Sequence, residues 1–194
     1  MKREAKIIRK TRETNIEIQL NLDGHGKYEI STGMGFFDHM LESLTKHAHF
    51  DMKLKAKGDL HVDFHHTVED VGLVLGEAIQ KALGKKEGIE RFGFSYVPMD
   101  EALARVVLDL SGRPYLVYRV KTDMTKIRDF DLTLVHEFFK ALSQTGFMTL
   151  HIISEVGQNP HHIYEAVFKA FARALKMACT KGKAKSIPST KGVL

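Results

Sequence analysis

The chain has 194 residues, of which 43% are hydrophobic and 27% charged, a balance typical of a globular protein. No run of about 18 apolar residues could cross a membrane, and no apolar segment follows the basic N-terminus as it would in a secretory signal. The single cysteine, Cys179, excludes an intrachain disulfide and a cysteine-based zinc site, so we expect a reducing, cytoplasmic setting. The net charge of +5 would suit an anionic partner.

The first half of the chain predicts two strands, a helix, a third strand and a longer helix. Alternation of apolar and polar residues indicates the strands, and apolar residues three or four positions apart indicate the helices. A turn with two glycines separates the first two strands. The predicted strands are 14–22, 27–31 and 50–56, and the predicted helices are 36–46 and 68–83.

The second half predicts the same order of elements. Its strands are 101–110, 115–120 and 148–154, and its helices are 132–143 and 163–178. Asp63 and Asn159 precede the two long helices and are favourable N-cap residues, with Pro160 suited to the first helical position. Each half therefore predicts an α+β unit of order β-β-α-β-α, with helices packed on one face of a sheet.

The two halves also repeat one another in sequence. Residues 63–69 and 159–165 both read Asx-x-His-His-x-x-Glu and lie about half the chain apart, and His39 and His136 precede the two motifs at similar distances. We infer an internally duplicated fold, with halves 1–92 and 93–194 forming one compact unit.

The repeated motif predicts metal binding. In each long helix a histidine and a glutamate four residues later lie on one face, whereas the adjacent second histidine projects about 100° away. We expect two pseudo-equivalent sites, formed by His39, His65, Glu69 and His162 and by His136, His161, Glu165 and His66. Imidazole and carboxylate ligands without thiolate suit Mn²⁺, Fe²⁺ or Zn²⁺. Carboxylates also favour helix N-termini for structural reasons, but the doubled pattern disfavours that explanation.

The sequence resembles the imidazoleglycerol-phosphate dehydratase family over essentially its whole length. One departure is Phe64, where the family often has an aspartate, and we expect it to alter packing and not chemistry. The resemblance rests on specific motifs at residues 12–14, 37–41, 65–70, 98–102, 109–114, 136–138, 161–166 and 187–192.

The resemblance implies a ribosomal protein S5 domain 2-like fold and dehydration of imidazole-glycerol phosphate to imidazole-acetol phosphate in histidine biosynthesis. No carbonyl activates the carbon that loses its proton, so we expect a metal-bound imidazolate and a diazafulvene-like intermediate, with two Mn²⁺ ions per site. The resemblance also implies a homo-oligomer of twenty-four copies, with site residues drawn from neighbouring subunits.

The resemblance further implies which residues act on the substrate. For contact near the reacting carbons it points to Glu13. The expected ligands Glu165 and Glu69 are further catalytic candidates that could move a proton, with His47 and Asp100 as weaker candidates. For the substrate and its phosphate it points to Glu13, Arg91, Arg113, Lys169, Ser189, Thr190 and Lys191. The remaining C-terminal lysines, Lys181, Lys183 and Lys185, are expected to be solvated.

Three alternatives compete with this interpretation. Paired metals also suit a hydrolase, but no His-Glu-x-x-His motif occurs in the chain. The basic pI of about 9.2 permits a nucleic-acid-binding module, but no basic stripe interleaved with aromatic residues supports one. The third alternative is a purely structural metal protein. We therefore expect a small-molecule substrate, with neither a nucleic acid nor a membrane as partner.

Overall fold

The computed structural model describes residues 2–182 and 186–194. Lys183 and Lys185, two of the lysines expected to be solvated, lie outside the described residues. The first half contains β1 (Glu4–Lys10), β2 (Thr14–Asn21), β3 (Tyr28–Ser31), α1 (Gly35–Ala48), β4 (Asp51–Gly58) and α2 (His65–Leu83). The second half contains β5 (Phe92–Met99), β6 (Ala102–Asp109), β7 (Tyr115–Arg119), β8 (Lys126–Ile127), β9 (Phe130–Asp131), α3 (Leu134–Thr145), β10 (Thr149–Val156) and α4 (Pro160–Cys179).

The two halves form four-stranded sheets of identical topology. The strand order is β1-β2-β4-β3 in the first sheet and β5-β6-β10-β7 in the second. In each sheet three strands are antiparallel, and the fourth, β3 or β7, runs parallel to its neighbour. Alternation places Ile16, Ile18 and Leu20 of β2 inside, where they meet the helices.

The helices pair across the two halves. The short helix α1 packs against α4 of the second half, and the short helix α3 packs against α2 of the first half. Glycines allow the close approach of α2 and α3: a Cβ at Gly72 would lie 2.5 Å from the carbonyl oxygen of Phe138. The buried side chains of both halves consequently form one continuous hydrophobic core.

The structure confirms the predicted class, a duplicated α+β fold with helices on one face of each sheet. Each half has one further strand at its start, β1 or β5, that the sequence pattern does not predict, and a short β8–β9 hairpin precedes α3. The predicted boundary between residues 92 and 93 falls at the start of β5. Asn159 caps α4 as predicted, whereas α2 begins one residue later than Asp63 predicts, with Phe64 as its N-cap residue.

The outer faces of the two sheets differ in character. On the second sheet, large apolar side chains of Phe92, Phe94, Tyr96, Val107 and Tyr115 are exposed. The corresponding face of the first sheet carries ion pairs such as Lys6–Glu17 and Lys53–Glu29. Among the described residues, no helix combines the length and apolarity needed to cross a membrane.

Candidate metal centre

One cluster of possible metal ligands lies where α1 meets α4. The α1–α4 cluster consists of His39, His161 and Glu165, whose donor atoms all lie within 4.8 Å of one another. Glu165 Oε2 lies 3.1 Å from His161 Nε2 and 3.4 Å from His39 Nε2. The two imidazole rings lie 5.5 Å apart between centroids. Asn159 accepts a hydrogen bond from the backbone N–H of His161 and so holds the first turn of α4 in place.

Glu165 has a buried carboxylate that is paired with a cationic side chain. Lys169, one helical turn later, forms an ion pair with its Oε1 at 2.7 Å. Burial raises the pKa of Glu165, but the ion pair with Lys169 and the contact with His39 outweigh it, so the pKa is lowered overall. The group is therefore ionised at neutral pH, as a metal ligand must be.

A second cluster lies at the equivalent junction of α2 and α3. The α2–α3 cluster consists of His65, Glu69 and Glu137, with donor atoms again within 4.8 Å of one another. His65 Nε2 and Glu69 Oε2 lie 4.0 Å apart. Glu137 accepts a hydrogen bond from His136 Nδ1 at 2.9 Å, which lowers the pKa of its carboxyl. The predicted ligand His136 thus borders this cluster, and Glu137 joins it.

Within one chain, the two clusters group the candidate ligands differently from the two predicted sites. His39 was expected with His65 and Glu69 of its own half, but it lies beside His161 and Glu165 of the other half. The physical reason is the helix pairing: each short helix packs against the long helix of the opposite half. Each cluster therefore combines candidate ligands from both halves.

His66 and His162 belong to neither cluster. His66 Nδ1 lies 3.0 Å from Asp59 Oδ2, and His162 Nδ1 lies 2.7 Å from Glu101 Oε2. These hydrogen bonds raise the pKa of both histidines, and the bond with His162 lowers the pKa of Glu101 to about 2. Within the part of the chain that the structure describes, Nε2 of neither ring makes a hydrogen bond.

Glu13, predicted to contact substrate, is an exposed side chain beside His66. Its Oε2 lies 3.9 Å from His66 Nδ1, too far for a hydrogen bond. Of the weaker candidates, Asp100 is exposed and lies 3.8 Å from His162 Nε2. Burial lowers the pKa of His47, which the nearby charge of Lys169 lowers further.

The predicted phosphate-binding residues divide into two groups. Arg91 donates two hydrogen bonds to Asp109 and a third, at 2.8 Å, to the carbonyl oxygen of Pro188. The C-terminal segment that contains Ser189, Thr190 and Lys191 therefore lies beside Arg91. Its last residue lies against Gly112, next to Arg113 in sequence.

Lys169, by contrast, lies at the far end of β5. Its Nζ lies 3.8 Å from the sulfur of Met99, the last residue of that strand, whereas Arg91 precedes the first. Eight residues of strand span about 26 Å at roughly 3.3 Å per residue. One chain therefore does not bring all the predicted phosphate ligands together.

The sequence motifs alone predict no role for several residues that contact the candidate ligands. Glu137, Asp59 and Glu101 each contact a predicted ligand histidine, yet none was assigned a role. Glu137 and Glu101 stand within the motifs that carry the family resemblance, so the position in those motifs was an available signal. Asp59 follows β4 in a loop, and no local pattern marks it.

The fold and the two clusters define a class: an α+β protein of two similar halves with a candidate metal centre at each helix junction. The family model for imidazoleglycerol-phosphate dehydratase matches residues 32–175. The chain belongs to that family, and it is a hydro-lyase of histidine biosynthesis.

Relatives named imidazoleglycerol-phosphate dehydratase match along the whole chain. The Azorhizobium caulinodans protein is 54% identical over 194 residues, covering 99% of this chain and 98% of its own. The Acetivibrio thermocellus protein is 54% identical over 195 residues, covering 100% of both.

Solved structures of the family share the fold. The Staphylococcus aureus enzyme aligns with a TM-score of 0.84 at 39% identity, covering 92% of this chain and 99% of that one. The Pyrococcus furiosus enzyme aligns with a TM-score of 0.85 at 37% identity, covering 97% and 100%.

Proposed function

We propose that this enzyme converts imidazole-glycerol phosphate to imidazole-acetol phosphate in the cytoplasm, with divalent metal ions bound at its two His/Glu clusters. The observation that carries the proposal is the pair of clusters at equivalent helix junctions, each combining imidazole with carboxylate. Such nitrogen and oxygen donors suit Mn²⁺. The lone Cys179 is buried and offers no thiolate.

The donor set fits two Mn²⁺ ions for each substrate. His39, His161 and Glu165 would hold one ion, and His65, Glu69 and His136 the other, with His66 and His162 completing the shells. When bound, metal ions at these residues would supply Lewis-acid polarisation of the imidazole ring of the substrate. Because Glu137 lies against His136, it would orient that ring.

The carboxylates take different parts in the proposed reaction. Glu165 and Glu69 stand within the clusters, so their main task is to hold metal. Glu165 is held by an ion pair with Lys169, which limits its capacity to accept a proton. Glu13 is exposed and unpaired by hydrogen bonds in the described residues, so we assign it the proton transfer at the reacting carbons.

The positions of the proposed phosphate-binding residues support a site shared between copies of the chain. Lys169 lies beside the α1–α4 cluster, whereas Arg91, Arg113, Ser189, Thr190 and Lys191 lie toward the other end of β5. An imidazole ring, three carbons and one phosphate do not span a strand of that length. We therefore propose that one copy supplies metal ligands and another supplies the phosphate-binding segment.

The outer histidines and the second sheet support the same arrangement. His66 and His162 leave Nε2 without a hydrogen bond in the described residues, as expected of ligands for a metal on a neighbouring copy. The exposed aromatic residues of β5 form an apolar surface that association would cover. We propose a homo-oligomer of twenty-four copies, in keeping with the assembly that the resemblance implies.

The test is an activity assay on metal-stripped protein that is re-supplied separately with Mn²⁺, Zn²⁺ or Mg²⁺. We expect Mn²⁺ to restore turnover and Mg²⁺ to leave the protein inactive, because Mg²⁺ prefers oxygen ligands and accepts imidazole poorly. Product and inorganic phosphate are measured together, since a hydrolase would release phosphate. Full activity with Mg²⁺ alone would contradict the proposed ligand set.

A further inference from the structure

His66 and His162 are each held by a carboxylate from outside their own helix. Asp59, in the loop after β4, lies 3.0 Å from His66 Nδ1, and Glu101, in the β5–β6 turn, lies 2.7 Å from His162 Nδ1. A carboxylate only accepts, so Nδ1 of each ring carries the proton and Nε2 keeps its lone pair. We propose that Asp59 and Glu101 are positioning residues that fix these two rings to bind metal through Nε2.

This inference rests on the proposed metal binding and adds residues to it. A carboxylate that accepts from the distal nitrogen of a ligand histidine fixes its tautomer and orientation and raises its basicity. His66 and His162 lie in the first turns of α2 and α4. Without such a partner, either nitrogen could carry the proton.

Glu101 is itself held by two backbone donors. Its Oε1 accepts hydrogen bonds from the backbone N–H groups of Gln158 at 3.1 Å and Asn159 at 2.8 Å, while Oε2 faces His162. The carboxylate of Glu101 therefore connects the loop before α4 with the imidazole ring of His162 in the first turn of that helix. The two oxygens have separate partners, which leaves Glu101 one orientation.

The carboxylate that accepts a hydrogen bond from the histidine Nδ1 stands at a different position in each half. The β1–β2 turn carries Glu13 where the β5–β6 turn carries Glu101, but Glu13 lies 3.9 Å from His66 Nδ1 and Asp59 takes the hydrogen bond. Because Asp59 holds His66, Glu13 remains available to contact substrate. Its counterpart Glu101 uses both carboxylate oxygens in hydrogen bonds. The duplicated fold thus separates a positioning carboxylate from a reactive one.

Glu101→Gln tests the inference with little change in shape. The amide oxygen must stay toward the two backbone N–H groups, so the amide NH₂ faces His162 and donates to Nδ1. The ring proton then moves to Nε2, which can no longer bind metal. We expect one class of Mn²⁺ sites to bind about 10–100-fold more weakly.

The measurement is a titration of metal-stripped, full-length protein with Mn²⁺, in which electron paramagnetic resonance reports the free ion. Glu29→Gln is the matched control, because Glu29 is an exposed partner of Lys53 and should leave Mn²⁺ affinity unchanged. The thermal midpoint of the metal-free protein is recorded for each variant. A positioning role predicts weaker Mn²⁺ binding at an unchanged midpoint.

Asp59→Ala repeats the test in the first half, in case Glu101→Gln does not fold. In the described part of the chain the Asp59 side chain pairs only with His66, so its loss should spare the fold. Unchanged Mn²⁺ affinity in the folded variants would overturn the inference and leave the proposed function intact. Loss of affinity only in step with a lowered midpoint would also overturn it. A wild-type protein that binds no Mn²⁺ would instead refute the proposed function itself.

Discussion

Glu165 combines burial with polar contacts to His39, His161 and Lys169. Glu165→Gln keeps the volume but removes the charge, so the amide can neither pair with Lys169 nor bind metal as a carboxylate. We expect kcat to fall by more than about tenfold, equivalent to roughly 1.4 kcal/mol of barrier. Steady-state kinetics with Mn²⁺ provide the measurement, and Glu29→Gln is the control. A smaller loss would show that Glu165 is not an essential ligand.

Asp51, the first residue of β4, makes a pH-dependent contribution to stability by binding the loop between β2 and β3. Its Oδ1 accepts hydrogen bonds from the backbone N–H groups of His25 at 2.8 Å and Lys27 at 3.0 Å, which lower the pKa of the carboxyl. Since the folded-state pKa is lowered, this stabilisation is complete above the unfolded-state pKa of about 3.9 and is lost as pH falls through the folded-state pKa.

Asp51→Asn retains an acceptor but not the charge. We therefore expect wild type to have the higher thermal midpoint at about pH 6, and the difference to shrink as the pH approaches about 3. Thermal unfolding of the two proteins across this range, at one protein concentration, makes the comparison. A difference that stays constant with pH would contradict the assignment to Asp51.

At the scale of elements, Gly93 sets how closely β5 approaches α4. A Cβ at this position would lie 1.9 Å from the carbonyl oxygen of Ala174, so strand and helix would have to separate. We expect Gly93→Ala to lower the free energy of unfolding by about 1–3 kcal/mol. Gly35→Ala is the matched control, because no atom lies within 4 Å of a Cβ there and the change should be neutral or slightly stabilising. Thermal midpoints of the metal-free proteins would separate the two cases.

Strand β5 also shows why part of the fold escapes prediction from the sequence. Its buried positions include Gly93 and Ser95, while Phe92, Phe94 and Tyr96 are exposed. The hydrophobic alternation is thus inverted relative to an ordinary half-buried strand. Strand β1 buries only two residues, so its local signal is weak. The helices and inner strands, with regular apolar periodicity, were predicted to within a few residues.

The candidate site was predictable where its geometry is local. Helical spacing brings His65 near Glu69 and His161 near Glu165, and the structure shows both pairs. The position of His39 depends instead on which helix packs against α1. That choice rests on long-range contacts between halves, which neither spacing nor periodicity encodes.

The C-terminal segment is an element whose loss should affect substrate and not fold. We expect a chain ending at Ile187 to show a KM raised at least about tenfold, since one charge-assisted hydrogen bond contributes about 1.5–3 kcal/mol. A chain ending at Lys191 keeps the proposed phosphate donors and is the control. KM and thermal midpoint are measured on the same samples. An unchanged KM in the chain that ends at Ile187 would reject the phosphate role of Ser189, Thr190 and Lys191.

At the scale of the whole molecule, a shared site predicts complementation between inactive variants. Under the proposed function, Glu165→Gln would damage the metal-binding end of a chain, and Arg113→Ala would damage the phosphate-binding end. If each site combines these ends from different copies, random co-assembly would leave about a quarter of sites with both ends intact. We expect the mixed assembly to regain turnover, whereas separately assembled variants do not. No recovery in verified mixed assemblies would place both ends in one copy.

The cross-packing of helices bears on how such a chain could have arisen. A precursor of half the length would possess one short and one long helix, neither able to cover the other as α1 covers α4 or α3 covers α2 here. Only a second identical molecule could supply the missing partners, so the ancestral form of this packing would have been a two-fold symmetric dimer. Each candidate metal centre would then have combined residues from both molecules. Fusion of two such copies into one chain would leave equivalent residues free to take different contacts, as Glu13 and Glu101 do here.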